Sequence, residues 1–151
     1  MKSIVKIGCD PAFRKNGFSI AILDENNELH FKTFKKPINF IGWVMFDMPT
    51  NSHVAVENSN LQESTFDMRG TKAVVAKKSR NVGKNQAISQ IAYEMFNERA
   101  LKVLNISPKR KGAKWTDDGV MCGLIRSYNI KAEKRKFSQD ERDAFKLLMM
   151  I

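Results

Sequence analysis

The stretch that most constrains the fold is the opening run KSIVKIGCD, from Lys2 to Asp10. Ile4, Val5 and Ile7 are β-branched and closely spaced, as in a strand buried on both faces. The run ends in a carboxylate, which contributes nothing to that burial. An acid at the tip of a central strand therefore points to a metal or to proton transfer. Gly17 follows a short turn, and residues 17–24 (GFSIAILD) read as a second strand. Asp24 to Asn27 (DENN) is turn-forming, and residues 28–36 (ELHFKTFKK) alternate like a strand exposed on one side. Together these predict a three-stranded antiparallel meander. His30 lies in the alternation with no partner evident, and reads as a surface or half-buried residue rather than a ligand.

Pro37 opens a short apolar segment with Ile38, Ile41, Trp43, Val44 and Phe46, which reads as a helix beginning near the proline and broken at Pro49. Residues 53–58 (HVAVEN) then form a second buried strand delivering an acid, Glu57. Residues 59–81 are polar and carry Arg69, Lys72, Lys77, Lys78 and Arg80. They read as a mobile basic segment with some helix, forming a groove that follows phosphates. Neither the Gly70 nor the Gly83 neighbourhood has the spacing of a phosphate loop. From Gly83 to about Arg99 the apolar residues Ala87, Ile88, Ile91, Ala92, Met95 and Phe96 recur at helical spacing. Residues 101–106 read as a short strand, ended by Ser107-Pro108. Residues 109–114 read as a basic loop. Thr116 is expected to cap a helix whose first turn holds Asp117 and Asp118. Ser138 and Glu141 fit a capping box for a last helix. On it, Asp140 and Asp143 are three apart and share a side. The helix dipole accounts for Asp140 but less well for Asp143, which lies further from the helix start.

Charge narrows the partner. Lys and Arg total 26 against 16 Asp and Glu, giving net +10 over 151 residues. A single domain this basic is expected to meet a polyanion, with nucleic acid foremost. The candidate phosphate contacts are Arg14, Lys15, Arg69, Lys72, Lys77, Lys78, Arg80, Lys84, Lys109, Arg110, Lys111 and Lys114. Cys9 and Cys122 have neither disulfide-framework nor metal spacing, and read as two buried thiols. Signal peptide, membrane-spanning run and lipidation signal are all missing, so a soluble, cytoplasmic protein is expected.

Four acids remain as candidate catalytic and metal-binding residues: Asp10, Glu57, Asp140 and Asp143. If the first and fourth strands are neighbours, Asp10 and Glu57 stand side by side and the last helix adds the other two. Clustered carboxylates need countercharge. Hard divalent cations supply it, and oxygen ligands suit magnesium or manganese. Two such ions about 4 Å apart can activate a water and stabilise the leaving oxygen in phosphodiester hydrolysis.

Residues 10–17, DPAFRKNG, resemble the D-P-G-x-x-x-x-G opening of RuvC-type Holliday junction resolvases, members of the ribonuclease H-like superfamily. The VAVE strand ending at Glu57 resembles that family's second acidic motif. The D-x-x-D-A run from Asp140 to Ala144 resembles its third. NVGKNQA, Asn81 to Ala87, and the helix after it are similar to small RuvC-like enzymes, especially those of bacteriophages. The resemblance implies an α/β fold with a five-stranded mixed sheet, an antiparallel meander plus parallel strands, flanked by helices. It implies two Mg²⁺ ions (Mn²⁺ substituting) held by Asp10, Glu57, Asp140 and Asp143, with Asp10 shared between them. It also implies a homodimer that nicks two strands of a four-way DNA junction, leaving 5′-phosphate and 3′-hydroxyl ends. Lysines of the 109–114 loop become candidates for contacting the scissile phosphate. A phage source would place it in the host cytoplasm. Two positions depart from the family pattern. Ala12 replaces a glycine in the turn. Asn60 stands where many relatives carry the aromatic that opens the junction, leaving Phe66 as a substitute.

Other readings of the same features are an RNA–DNA hybrid nuclease of ribonuclease H type and a module that binds branched or single-stranded nucleic acid without cutting. The four acids weigh against the second, because a pure binder gains nothing from carboxylates in its groove. A nucleotide-using phosphotransferase of the actin and sugar-kinase class also opens with strand, aspartate and glycine hairpin, but is usually much longer.

Overall fold

A computed structural model describes residues 3–12, 14–61 and 69–151. The opening run becomes β1 (Val5–Cys9), followed by β2 (Phe18–Leu23) and β3 (Glu28–Phe34). A turn at Gly17, with φ +75°, allows the first hairpin, and its N–H bonds to Arg14 O at 3.0 Å. A Cβ there would lie 1.8 Å from Phe34 O, so only glycine fits. β1 pairs antiparallel with β2, and β2 with β3, giving the expected meander.

Helix α1 (Pro37–Gly42) starts at the proline and runs into a π-helical turn, Trp43–Asp47, before Pro49. Strand β4 (Ser52–Glu57) then returns parallel to β1. Helix α2 spans Lys72–Arg99, β5 is Lys102–Ile106, and α3 is the single turn Pro108–Lys111. After α4 (Gly119–Ser127) come β6 (Lys131–Ala132) and α5 (Gln139–Leu148). The sheet order is β5-β4-β1-β2-β3-β6, with β1 the seam between the parallel β5-β4 side and the antiparallel meander, and β6 parallel to β3 at the far edge.

The alternation of β1 and β4 divides the core into two layers. Val5, Ile7, Cys9, Val54 and Val56 pack under α1 and α2, against Phe40, Ile88, Ala92 and Phe96. On the other face lie Gly8 and Ala55, against Ala144, Leu147 and Leu148 of α5. A Cβ on Gly8 would fall 1.9 Å from Ala144 O, so α5 rests on bare backbone.

The fold is α/β with a mixed sheet flanked by helices, but with six strands rather than the five expected. The sixth is the two-residue β6, inside a stretch read only as a basic run. It is drawn to β3 by Asn27, whose Nδ2 donates to Tyr128 O and Asn129 O and whose carbonyl accepts from Lys131 N. Helix α2 begins at Lys72, so the basic segment 59–81 is partly helical. Thr71 caps it, accepting from Val74 N, and lysine, arginine and alanine extend a helix readily once its packed half is anchored. Thr116 does not cap α4. Asp117 instead closes a local turn by accepting from Gly119 N at 2.8 Å, and Asp118 pairs with Arg142 at 3.0 Å. The expected loop 109–114 starts as the capped turn α3, with Ser107 accepting from Arg110 N. The capping box at Ser138 and Glu141 forms with both bonds present. Cys9 is buried and Cys122 only half-buried. No helix among the described residues is long and apolar enough to cross a membrane.

Candidate active site

The register Cys9↔Val56 brings the ends of two parallel strands level, so Asp10 and Glu57 emerge side by side. By parity with Gly8 and Ala55 they belong to the α5 face. The close approach of α5 over Gly8 brings Asp143 toward them. Asp143 is 1% exposed. Its Oδ1 accepts from Gln139 Nε2 at 2.9 Å, while its Oδ2 is buried without a hydrogen-bond partner.

Between the two strand-end acids stands Lys111, expected from the sequence as a phosphate contact and here 7% exposed. Its Nζ donates to Asp10 Oδ2 at 2.9 Å and forms an ion pair with Glu57 Oε2. Burial raises the Glu57 pKa above its usual 4.5, and the charges of Asp10 and Asp143 raise it further; Lys111 offsets only part of this. Burial alone would lower the Lys111 pKa, but Asp10 and Glu57 outweigh it and raise the value above 10.5. The neighbouring Cys9 thiol is pushed up by burial and by Asp10, so it stays an inert thiol.

Asp140 is half-buried at the start of α5 and ion-paired with Arg14. Arg14 lines a cleft of about 200 Å³ together with Asp10, Glu57, Ser59, Lys111 and Lys114. Asn85 and Ser89 of α2 also line it. Among the described residues, no three of the four acids offer oxygens within 4.8 Å of one another.

The donor set suits a hard cation nonetheless. Asp10, Glu57 and Asp143 are carboxylates, the charges of Asp10 and Asp143 both bear on Glu57, and Asp143 Oδ2 is buried without a hydrogen-bond partner. Magnesium or manganese would be held by these three, with Asp140 paired to Arg14 of the cleft wall.

The set of acid and histidine ligands that does meet the 4.8 Å distance is Asp24, Glu28 and His30. It lies at the β2–β3 turn, at the opposite end of the sheet. His30 thus has a partner that the sequence did not reveal, since its Nε2 lies 2.9 Å from Asp24 Oδ2. Asp24 Oδ1 accepts from Asn26 N and Glu28 N, and these bonds with His30 hold the Asp24 carboxyl below its usual range despite the opposing effect of burial. This is turn chemistry, and the cluster has a sufficient structural role.

Of the expected phosphate contacts, Arg14 and Lys114 line the cleft, and Lys15, Lys109 and Arg110 are exposed. Lys77, Arg80 and Lys84 recur at three- and four-residue spacing on one side of α2, with Lys72 exposed at its first turn. Arg69 precedes the helix, and its carbonyl accepts from Lys78 Nζ at 3.1 Å. Asn60 is a structural residue: its Nδ2 donates to Asn58 Oδ1 and Gln86 O, tying the end of β4 to α2. Phe66 lies outside the described residues. The sequence reading missed the part played by Asn58, Ser59 and Ser89. Asn58 is buried, and the two serine hydroxyls of the cleft wall bond to each other at 3.2 Å. No protein-family model matches the chain, and no curated protein matches it.

Proposed function

We propose that the chain is a divalent-metal-dependent, structure-selective DNA endonuclease of ribonuclease H-like fold, related to RuvC-type resolvases. Its substrate would be a four-way junction, nicked in pairs by a homodimer. The observation that carries this reading is the convergence of Asp10, Glu57 and buried Asp143 at one sheet end, inside a chain of net charge +10. A fold gains nothing by burying a carboxylate oxygen without a partner, whereas a cation site requires it.

When bound, magnesium ions supply water activation and stabilisation of the leaving oxygen. The protein's part is positioning. Asp10 and Glu57 are fixed by adjacent strands, and Asp143 by a helix that cannot slide without breaking its contact with Gly8. Arg14, Lys109, Arg110 and Lys114 sit where a phosphate backbone entering the cleft would pass. Lys77, Arg80 and Lys84 extend the positive track along α2.

The test is cleavage of a fixed synthetic four-way junction beside a linear duplex, a three-way fork and an RNA–DNA hybrid, with magnesium present or chelated. Paired symmetrical nicks that vanish in Asp10→Asn are expected. Cutting of the hybrid alone would move the protein to the ribonuclease H class. Binding of the junction with no cleavage of any substrate would refute the nuclease assignment.

A further inference from the structure

Lys111 occupies the interval in which a cation shared by Asp10 and Glu57 would sit. Its Nζ is 2.9 Å from one carboxylate and in ion-pair contact with the other. Magnesium binds carboxylate oxygens at about 2.0–2.1 Å, so an ion bridging these two oxygens would lie almost on the ammonium. The geometry points to an exchange of cations: Lys111 neutralises the metal-free site, and a divalent ion enters the Asp10–Glu57 seat by expelling it. This rests on the metal site of the proposed nuclease and adds a property to it, a built-in competitor for the ion.

The local structure permits such a movement. Lys111 closes α3, a single turn whose last bonds are Lys111 N to Ser107 O and Gly112 N to Pro108 O, each 3.1 Å. Gly112 follows at φ +77°, and a Cβ there would meet only the far end of a flexible side chain, Lys146 Nζ at 3.9 Å. The lysine stem can therefore swing outward without displacing β5, whose Ile106 stays paired with Glu57. An expelled Lys111 would join Lys109, Arg110 and Lys114 on the cleft rim. The positive charge that held the acids would then face the phosphate, so metal loading and backbone binding favour one another.

The exchange is read without turnover. Wild-type protein is treated with an amine-acylating reagent with and without saturating Mg²⁺, and each lysine is followed by peptide mass spectrometry. Lys111 is expected to react slowly in the metal-free protein and about tenfold faster with metal, as a locally released group does. Exposed Lys109 should keep its rate and serve as the internal standard. By calorimetry, Lys111→Met is expected to bind Mg²⁺ roughly 5- to 150-fold more tightly, the range typical of coupled sites. Shielding of Lys111 at saturating metal would overturn the exchange, since the ion would then sit elsewhere, for example on Asp143. Unchanged or weaker affinity in Lys111→Met would also overturn it. The labelling needs no variant, so a misfolded Lys111→Met does not decide the question. Junction cleavage on the same samples separates the two proposals. Cutting with Lys111 still shielded removes the exchange and leaves the nuclease. Release of Lys111 without cutting of any substrate supports the exchange and removes the nuclease.

Discussion

Gly8→Ala tests whether the contact of α5 with β1 assembles the acid group. A Cβ on residue 8 would meet Ala144 O at 1.9 Å, Leu148 N at 2.6 Å and Leu148 Cβ at 2.9 Å. Two of these are backbone atoms and none is the end of a flexible side chain. Ordinary contact begins near 3.4 Å, so the helix must retreat by more than 1 Å. Overpacking of this kind costs about 3 kcal/mol. For a chain of this length that lowers Tm by roughly 6–12 °C. The same retreat carries Asp143 away from Asp10 and Glu57. A misplacement near 1 Å costs on the order of 100-fold in rate. The variant keeps every carboxylate and cation, so loss of activity can be assigned to position alone. Thermal melts, circular dichroism at a temperature where the variant is folded, and junction cleavage at that temperature make up the assay. Wild-type Tm together with wild-type cleavage would refute the reasoning.

Three further outcomes are expected. Asp143→Asn removes a buried charge whose Oδ2 lacks a partner, so without metal the variant should be about 1 kcal/mol more stable than wild type, with its magnesium-induced rise in Tm lost; a destabilised variant would count against a cation role. Because the Glu57 pKa is raised from 4.5, its protonation stabilises the metal-free fold fully below about pH 4.5, and that stabilisation is lost as pH rises through the elevated value. The difference in urea stability between wild type and Glu57→Gln should therefore fall with rising pH above about 4.5, and a rising difference would contradict the assigned environment. Replacing Lys109, Arg110 and Lys114 by alanine should flatten the dependence of log binding constant on log salt by about 2–3 units, at near 0.9 per phosphate contact, and an unchanged slope would remove these residues from the interface.

The elements that bury an apolar pattern were legible. The β-branched run of β1 marks a strand buried on both faces, and the stripe of Ile88, Ala92 and Phe96 specifies the buried face of α2. The strand-end position of Asp10 and Glu57 was legible for the same reason. Their adjacency was not, because pairing of β1 with β4 is a non-local choice that the sequence left conditional. Lys111 is one of several cations between residues 109 and 114, and nothing in composition marks the one that folds inward. Its burial depends on the reach of a single helical turn beyond β5. Gly8 carries no visible signal either, since glycine within a strand reads as weakness until the element crossing it is known. Some helix was legible in the basic segment, but the start of α2 at Lys72 was not, because its first half has no apolar stripe and depends on a cap and on the helix that follows. His30 found its partner across a turn, a contact between residues whose separation fits no strand or helix period.

The candidate site draws on β1, β4, α3 and α5, and Lys111 meets Asp10 across 101 residues of chain. A ribosome delivers these pieces in order. The β1–β3 meander and α1 are held by local contacts and can form early, whereas the Gly8 seat stays vacant until α5 has been made. Nascent or truncated chains would thus present Asp10 and Glu57 without Asp143. For the proposed nuclease, this order of assembly would be a safeguard: a chain could not cut before α5 has been made.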